Sequence, residues 1–260
     1  MEIIDTHCHL DVEAFDPDRE AVLARCHDAG ISTIVVPGIA AAGWDKLIAL
    51  CSERNDLYPA LGLHPIYIND HLPDHIGKLK ALVAQYHPVA IGEIGLDYYI
   101  ETLDRTRQQS FLEQQLQLAG DVNLPVILHV RKSHDQMIKT LKRFTVPGGI
   151  VHAFNGSLPQ AQQYMDMGFK LGFGGTLTYE GSKKIRRLAR ELPLEAIVLE
   201  TDAPDMVVSA HRGQRNSPEY VLDCARALAK IRDCALEDIA LQTSHNARAI
   251  LNLHQVPFTP

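Results

Sequence analysis

Residues 1–10 read MEIIDTHCHL, and this stretch decides the fold. Ile3 and Ile4 begin a short apolar run of the kind carried by a strand buried on both faces, and the run ends in two histidines, His7 and His9. The first strand of a doubly wound nucleotide-binding sheet usually leads into a glycine-rich phosphate loop. Histidines in that place favour a closed parallel barrel, whose active sites lie at the C-terminal ends of the strands.

Working outward, the same alternation of apolar runs and amphipathic stretches continues along the chain. Strands are predicted near 3–8, 31–36, 58–63, 88–94, 125–130, 149–153, 169–173 and 196–201. Helices are predicted near 44–54, 73–85, 133–143, 158–167, 182–191 and 217–231, with an unbroken one from Arg105 to Asp121. Asp16-Pro17 is read as opening the first helix and Gly30 as closing it. A last helix near 236–252 is expected to pack on the outside. Eight strands, each followed by a helix, predict a (β/α)8 TIM barrel, and without a repeat or linker residues 1–260 read as one domain.

Composition narrows the function. The chain has 260 residues, 46% hydrophobic and 22% charged, as in a globular protein with a large core. No apolar run reaches the roughly 18–20 residues of a membrane span, and the N-terminus lacks the basic and apolar regions of a signal peptide. Five scattered cysteines without a C-x-x-C pair read as free thiols, so a reducing cytoplasm is expected. A net charge of −7 argues against wrapping duplex DNA and leaves room for a local, metal-mediated encounter.

The chemistry-bearing residues then fall into place. His7 and His9 end strand one, Glu93 strand four, His129 strand five and His152 strand six, while Asp202 follows strand eight. Any one of them alone is an ordinary core or loop residue; six at one end of a barrel are a constellation. Alternation puts His7 and His9 on one face with Ile3 and Asp5, Arg131 with His129, and Glu200 with Asp202. Imidazole nitrogen with carboxylate oxygen suits Zn, Mn, Fe, Co or Ni better than an all-oxygen magnesium cage. Two divalent cations about 3.5–4 Å apart need a bridging anion, and Glu93 on a middle strand is the natural one. One cation would take His7, His9, Glu93 and Asp202; the other Glu93, His129 and His152, leaving it open to water or substrate. Asp202 is also a candidate proton acceptor for the attacking water. Glu200, inward by parity, is expected to bond a ligand histidine or a backbone amide.

The ordered stretches DTHCHLD (5–11), GLHP (62–65), GEIGLDYY (92–99), LHVR (128–131), VHAFNG (151–156) and ETDAP (200–204) resemble the signature set of the TatD family of metal-dependent deoxyribonucleases. That resemblance implies an amidohydrolase-like barrel, phosphodiester hydrolysis of DNA, and His7, His9, Glu93, His129, His152 and Asp202 as metal ligands. It also implies a site role for His64. Zn, Mn, Mg, Co and Ni are left undistinguished. Two departures stand out: Val130, where many relatives have serine, and Asp205-Met206-Val207, where many have an aromatic residue. His64 and Arg131 are candidates for substrate binding, Lys132, Arg212 and Arg215 for phosphate contact, and Tyr98 and Tyr99 for base stacking. The partner expected is DNA or a small phosphoester, with a monomeric chain and no obligate protein partner or membrane. The rival reading is an amidohydrolase-type enzyme acting on a small amide, lactone or phosphoester. Such enzymes often bridge their cations with a carbamylated lysine, and here Glu93 stands at the expected position.

Overall fold

A computed structural model describes residues 1–253. Eight parallel strands form one sheet in sequence order: β1 (Ile3–Asp5), β2 (Ile31–Pro37), β3 (Leu57–Leu61), β4 (Ala90–Asp97), β5 (Val126–Arg131), β6 (Gly149–Val151), β7 (Phe169–Phe173) and β8 (Ile197–Leu199). The helices α1 (Arg19–Asp28), α2 (Trp44–Ser52), α3 (Asp74–Tyr86), α4 (Arg105–Asp121), α5 (His134–Leu141), α6 (Leu158–Asp166), α7 (Lys183–Glu191) and α8 (Val221–Arg232) follow successive strands, and α9 (Leu236–Leu251) comes last. This is the predicted (β/α)8 barrel. The seam between β8 and β1 closes by separate bonds. Thr6 N–H donates to Leu199 O (3.0 Å), Asp202 N–H to His7 O (2.8 Å) and His9 N–H to Ala203 O (2.8 Å). The seam therefore runs through the histidine motif.

Strand alternation sorts the core into two layers. Ile4, Val35, Ala60, Ala90, Ile127, Ile150 and Val198 fill the barrel lumen. Their neighbours Ile3, Ile34, Leu61, Ile91, Leu128, Val151 and Leu199 pack outward with the helices. Ala247 and Leu251 of α9 belong to the lumen cluster. This corrects the expectation that α9 packs on the outside: it closes the N-terminal mouth. Ile239, Thr243, Ala247 and Leu251, spaced four apart, form its buried stripe. Periodicity reveals such a stripe but not what it faces.

Two more expectations need correction. The first helix starts at Arg19, not at Pro17, because the Asp16 carboxylate is taken by Arg19 and by Lys46 Nζ (2.7 Å) and caps nothing. His7 and His9 also do not share a face with Ile3 and Asp5. Ile3 lies in the outer layer, and the β1–β2 register shifts between Ile3 and Ile4. The strand ends at Asp5, whose carboxylate binds Thr201 N–H (3.0 Å), Thr201 Oγ1–H (2.5 Å) and His7 N–H (3.1 Å). That turn brings His7 over the lumen.

Candidate metal centre

Glu93 is the hub. The β4–β5 register shifts between Ile91 and Ile94, and the Gly92–Glu93 peptide is cis. Its carboxylate is buried among five imidazoles, and the two oxygens face different partners. Oε2 lies 3.0 Å from His7 Nε2 and 3.5 Å from His9 Nε2. Oε1 lies 3.0 Å from His129 Nδ1, 3.1 Å from His64 Nε2 and 3.9 Å from His152 Nε2. Asp202 closes the ring: Oδ1 is 3.7 Å from His7 Nε2 and 3.5 Å from His9 Nε2, and Oδ2 is 3.7 Å from His152 Nε2. All six residues expected at the strand ends are thus brought together, and Asp202 sits in a left-handed backbone conformation (φ 58°).

The donor set fits divalent cations. The ligand atoms of His7, Glu93 and His152, of His7, His9 and Asp202, and of His64, Glu93 and His129 each lie within 4.8 Å of one another. Two imidazole nitrogens, His7 Nε2 and His9 Nε2, approach to 3.3 Å, as lone pairs converging on one cation do. The charges agree. Burial opposes ionisation of Glu93, yet His64, His7 and His129 hold it well below the usual carboxylate range. Burial likewise opposes ionisation of Asp202, while His152 and His9 bring it down to about 2. Against burial, the Asp202 bond and the Glu93 charge raise His9 to about 9, and Glu200 and Asp202 raise His152 to about 10. The pocket gathers anions that demand nearby positive charge.

Hydrogen bonds behind the rings decide which nitrogen points inward. His9 Nδ1 lies 3.1 Å from Pro37 O; it must donate there, so Nε2 is the nitrogen facing Glu93 and Asp202 and the one that would exchange its proton for a cation. His129 Nε2 lies 3.0 Å from Asp97 Oδ2, which leaves Nδ1 toward Glu93. His64 is the reverse. Its Nδ1 accepts Ile66 N–H (3.0 Å), so the neutral ring carries its proton on Nε2. Burial lowers His64 to about 4 and keeps it neutral. It is a donor aimed at the site, not a ligand, although its nitrogen falls within the third group above. His152 Nδ1 lies 3.1 Å from Glu200 Oε1, close enough for charge pairing but without hydrogen-bond alignment. Glu200 also accepts Ala153 N–H (2.6 Å), as expected from its parity. Gly172 is needed there, because a Cβ would lie 2.2 Å from Glu200 Oε2.

The remaining candidates divide. Arg131 lies over the Tyr99 ring (3.8 Å) at the edge of the pocket, with a guanidinium nitrogen 3.9 Å from Asp97 Oδ2. Lys132 Nζ is 4.8 Å from the same ring, and Arg105 covers Tyr98. Arg215 is occupied elsewhere: both its terminal nitrogens bind Asp18 (2.8 Å) and it covers Phe15, so it serves the fold. Arg212 is exposed and shows no contact with the site residues. Sequence reasoning missed Asp97. It stands inside the quoted GEIGLDYY, two residues from Gly95 along an inward-facing row, and that parity was the available signal.

The model of the TatD related DNase family matches residues 4–252. The chain belongs to the TatD family. The Escherichia coli K12 relative named "Uncharacterized metal-dependent hydrolase YjjV" is 40% identical over 253 residues, covering 96% of this chain and 98% of the relative. Bacillus subtilis YabD, also named a metal-dependent hydrolase, is 34% identical over 97% of this chain and its own full length. The crystal structure of the TatD homologue YjjV matches with a TM-score of 0.93, over 96% of this chain and 98% of that one. A phosphotriesterase homology protein from E. coli with phosphate in its active site shares the TatD fold at 12% identity and a TM-score of 0.67.

Proposed function

We propose that this TatD protein hydrolyses phosphodiester bonds of DNA with two divalent cations. Metal-dependent hydrolysis is the coarse description its family supports; the DNA substrate and the second cation are the finer reading. One observation carries it: the two oxygens of Glu93 face separate donor sets, His7 and His9 on one side and His129 with His152 on the other. A carboxylate so placed suits a bridge.

His7, His9, Glu93 and Asp202 would hold one cation, and Glu93, His129 and His152 the other. When bound, they supply Lewis-acid stabilisation of phosphoryl oxygens and lower the pKa of water. The chain does the rest. Asp202, with one oxygen toward His7 and His9 and the other toward His152, is the carboxylate placed to accept the proton of the attacking water. His64 Nε2–H, fixed as a donor by Ile66, stabilises a substrate oxygen as it gains charge. Arg131, resting on Tyr99, offers its guanidinium to a phosphate at the rim.

The test is cleavage of end-labelled single-stranded oligonucleotides by purified protein with Mn, Mg, Co or Zn, beside Glu93→Ala. Metal-dependent cleavage absent from the variant supports the reading. Indistinguishable wild type and variant overturn it, and so does turnover of lactones or dipeptides far above that of DNA.

A further inference from the structure

Two lobes meet over the candidate ligands and share Ile66, His129, His152, Asp202 and Asp205 in their walls. The smaller holds about 250 Å³ and the larger about 600 Å³. Their charge differs. Among the described residues no lysine or arginine lines the smaller lobe, whereas Arg131 lines the larger. Asp205 fixes a negative charge at the divide. Its N–H donates to Asp202 O (2.9 Å) and its carbonyl accepts from Nδ2 of the wholly buried Asn216 (2.6 Å), while its carboxylate has no partner among the described residues.

The larger lobe is walled on one side by α7, whose sequence is KKIRRLARE. Ile185 lines that lobe, and Lys184 Nζ donates to the carbonyl of Asn155, another of its lining residues (2.5 Å). Of the helix cations with a bonded partner, Arg186 donates to Leu177 O, Arg187 pairs with Glu191 and Arg190 donates to Ile231 O, none of them a lining residue, so Lys184 alone reaches the lobe wall. Lys183 and Lys184 are exposed and have no acidic partner among the described residues. On a chain of net charge −7, two exposed lysines next to Ile185 offer positive charge that the lobe's own lining, Asp202 and Asp205 against Arg131, lacks.

We infer that a single nucleic-acid strand leaves the site through the larger lobe, on the side of Arg131, its phosphates passing on over Lys183 and Lys184. This rests on the phosphodiester reading above. It makes Lys183 and Lys184 an anion track outside the site, acting by charge on phosphates remote from the scissile bond.

The experiment is fluorescence anisotropy of Mn-loaded protein with a labelled phosphorothioate decanucleotide and dinucleotide, across a range of salt. In Lys183→Ala/Lys184→Ala, decanucleotide affinity should fall about tenfold at low salt, and the slope of log K against log salt should shrink by about 1.4, or ~0.7 for each of two lost phosphate contacts. Dinucleotide affinity should change by less than about twofold, because the strand ends before the track. Lys183→Glu alone, at an exposed position, guards against a folding defect and should weaken decanucleotide binding while leaving the dinucleotide within about twofold. Equal losses for both lengths, or an unchanged salt slope, overturn the inference. If wild type cuts no DNA yet the slope shrinks, the track stands and the nuclease reading falls. If wild type cuts DNA and the slope does not move, the track alone falls.

Discussion

Asp97→Asn separates a ligand role for His129 from a merely structural one. Asp97 is buried, and burial works against its charge, but His129 and the Tyr99 and Ile100 amides hold it below the usual carboxylate range. Oδ1 accepts Tyr99 N–H (2.9 Å) and Ile100 N–H (3.2 Å), Oδ2 meets His129 Nε2 (3.0 Å), and Gln108 grips the Asp97 backbone from both sides. Asparagine keeps Oδ1 and both amide bonds, so the loop should hold. It replaces Oδ2 with an NH₂ donor. His129 Nε2 must then accept, which moves the ring proton to Nδ1, the nitrogen 3.0 Å from Glu93. A protonated nitrogen cannot bind a cation. Loss of a partner behind a ligand histidine typically lowers metal affinity ~10–100-fold, about 1.4–2.8 kcal/mol. Fold stability should fall by about 1.5–3 kcal/mol at most, the scale of one hydrogen bond to a charged group. Calorimetric metal titration of apo-protein, with urea unfolding alongside, measures both. One weakened binding event with the other retained is the expected isotherm. Unchanged affinity for every cation, in a variant of near-native stability, refutes the tautomer argument.

Two further outcomes follow from the surrounding shell. Gly172→Ala places a methyl where Glu200 Oε2 stands, and should displace Glu200 from Ala153 N–H and His152; a loss of about 1–3 kcal/mol in urea unfolding, with reduced metal content, is expected, and a wild-type midpoint would show that Glu200 has room to move. His134, buried between Tyr164 and Asn155 (3.2 Å each), completes its bonding as a neutral ring, and burial lowers its pKa from 6.5. Below pH 6.5 the unfolded chain therefore takes up a proton that the folded chain resists, so this group lowers stability as pH falls and leaves it unaffected above that value. His134→Gln should flatten that part of the stability–pH curve; an unaltered slope would place its origin elsewhere.

Much of the barrel was legible because its strands are buried on both faces and read as continuous Ile, Val and Leu runs. The rim was legible although two strand ends were not: β1 stops at Asp5, before His7 and His9, and β4 runs on past Glu93 to Asp97, yet all six residues meet at one end. What failed was the detail that tertiary bonds decide. The parity of β1 slipped because Asp5 is drawn to Thr201 across the seam, 196 residues away, and no local pattern encodes that pairing. The reading of Asp16-Pro17 as the helix start failed because the Asp16 carboxylate is bound by Arg19 and by Lys46 from another segment, and the helix begins at Arg19. Asp97 escaped notice beside Glu93 because an Asp before two tyrosines reads as a loop residue until its strand is known to extend to it.

The contrast between His9 and His64 shows how little separates a candidate ligand from a donor. Both rings are largely shielded at the C-terminal rim, and both direct Nε2 at Glu93. At His9 the atom behind the ring is a carbonyl, Pro37 O; at His64 it is an amide, Ile66 N–H. One backbone group of opposite polarity reverses the proton, and with it the role. The second case is encoded locally. Pro65 has no N–H, so the first donor after His64 is Ile66, and the short helical turn at 65–67 carries that N–H back to Nδ1 as an N-cap does. The dipeptide His-Pro at a strand end therefore specifies an Nε2–H donor, whereas in His-x-His a bonded carbonyl must be supplied by a neighbouring strand before either ring can offer its lone pair.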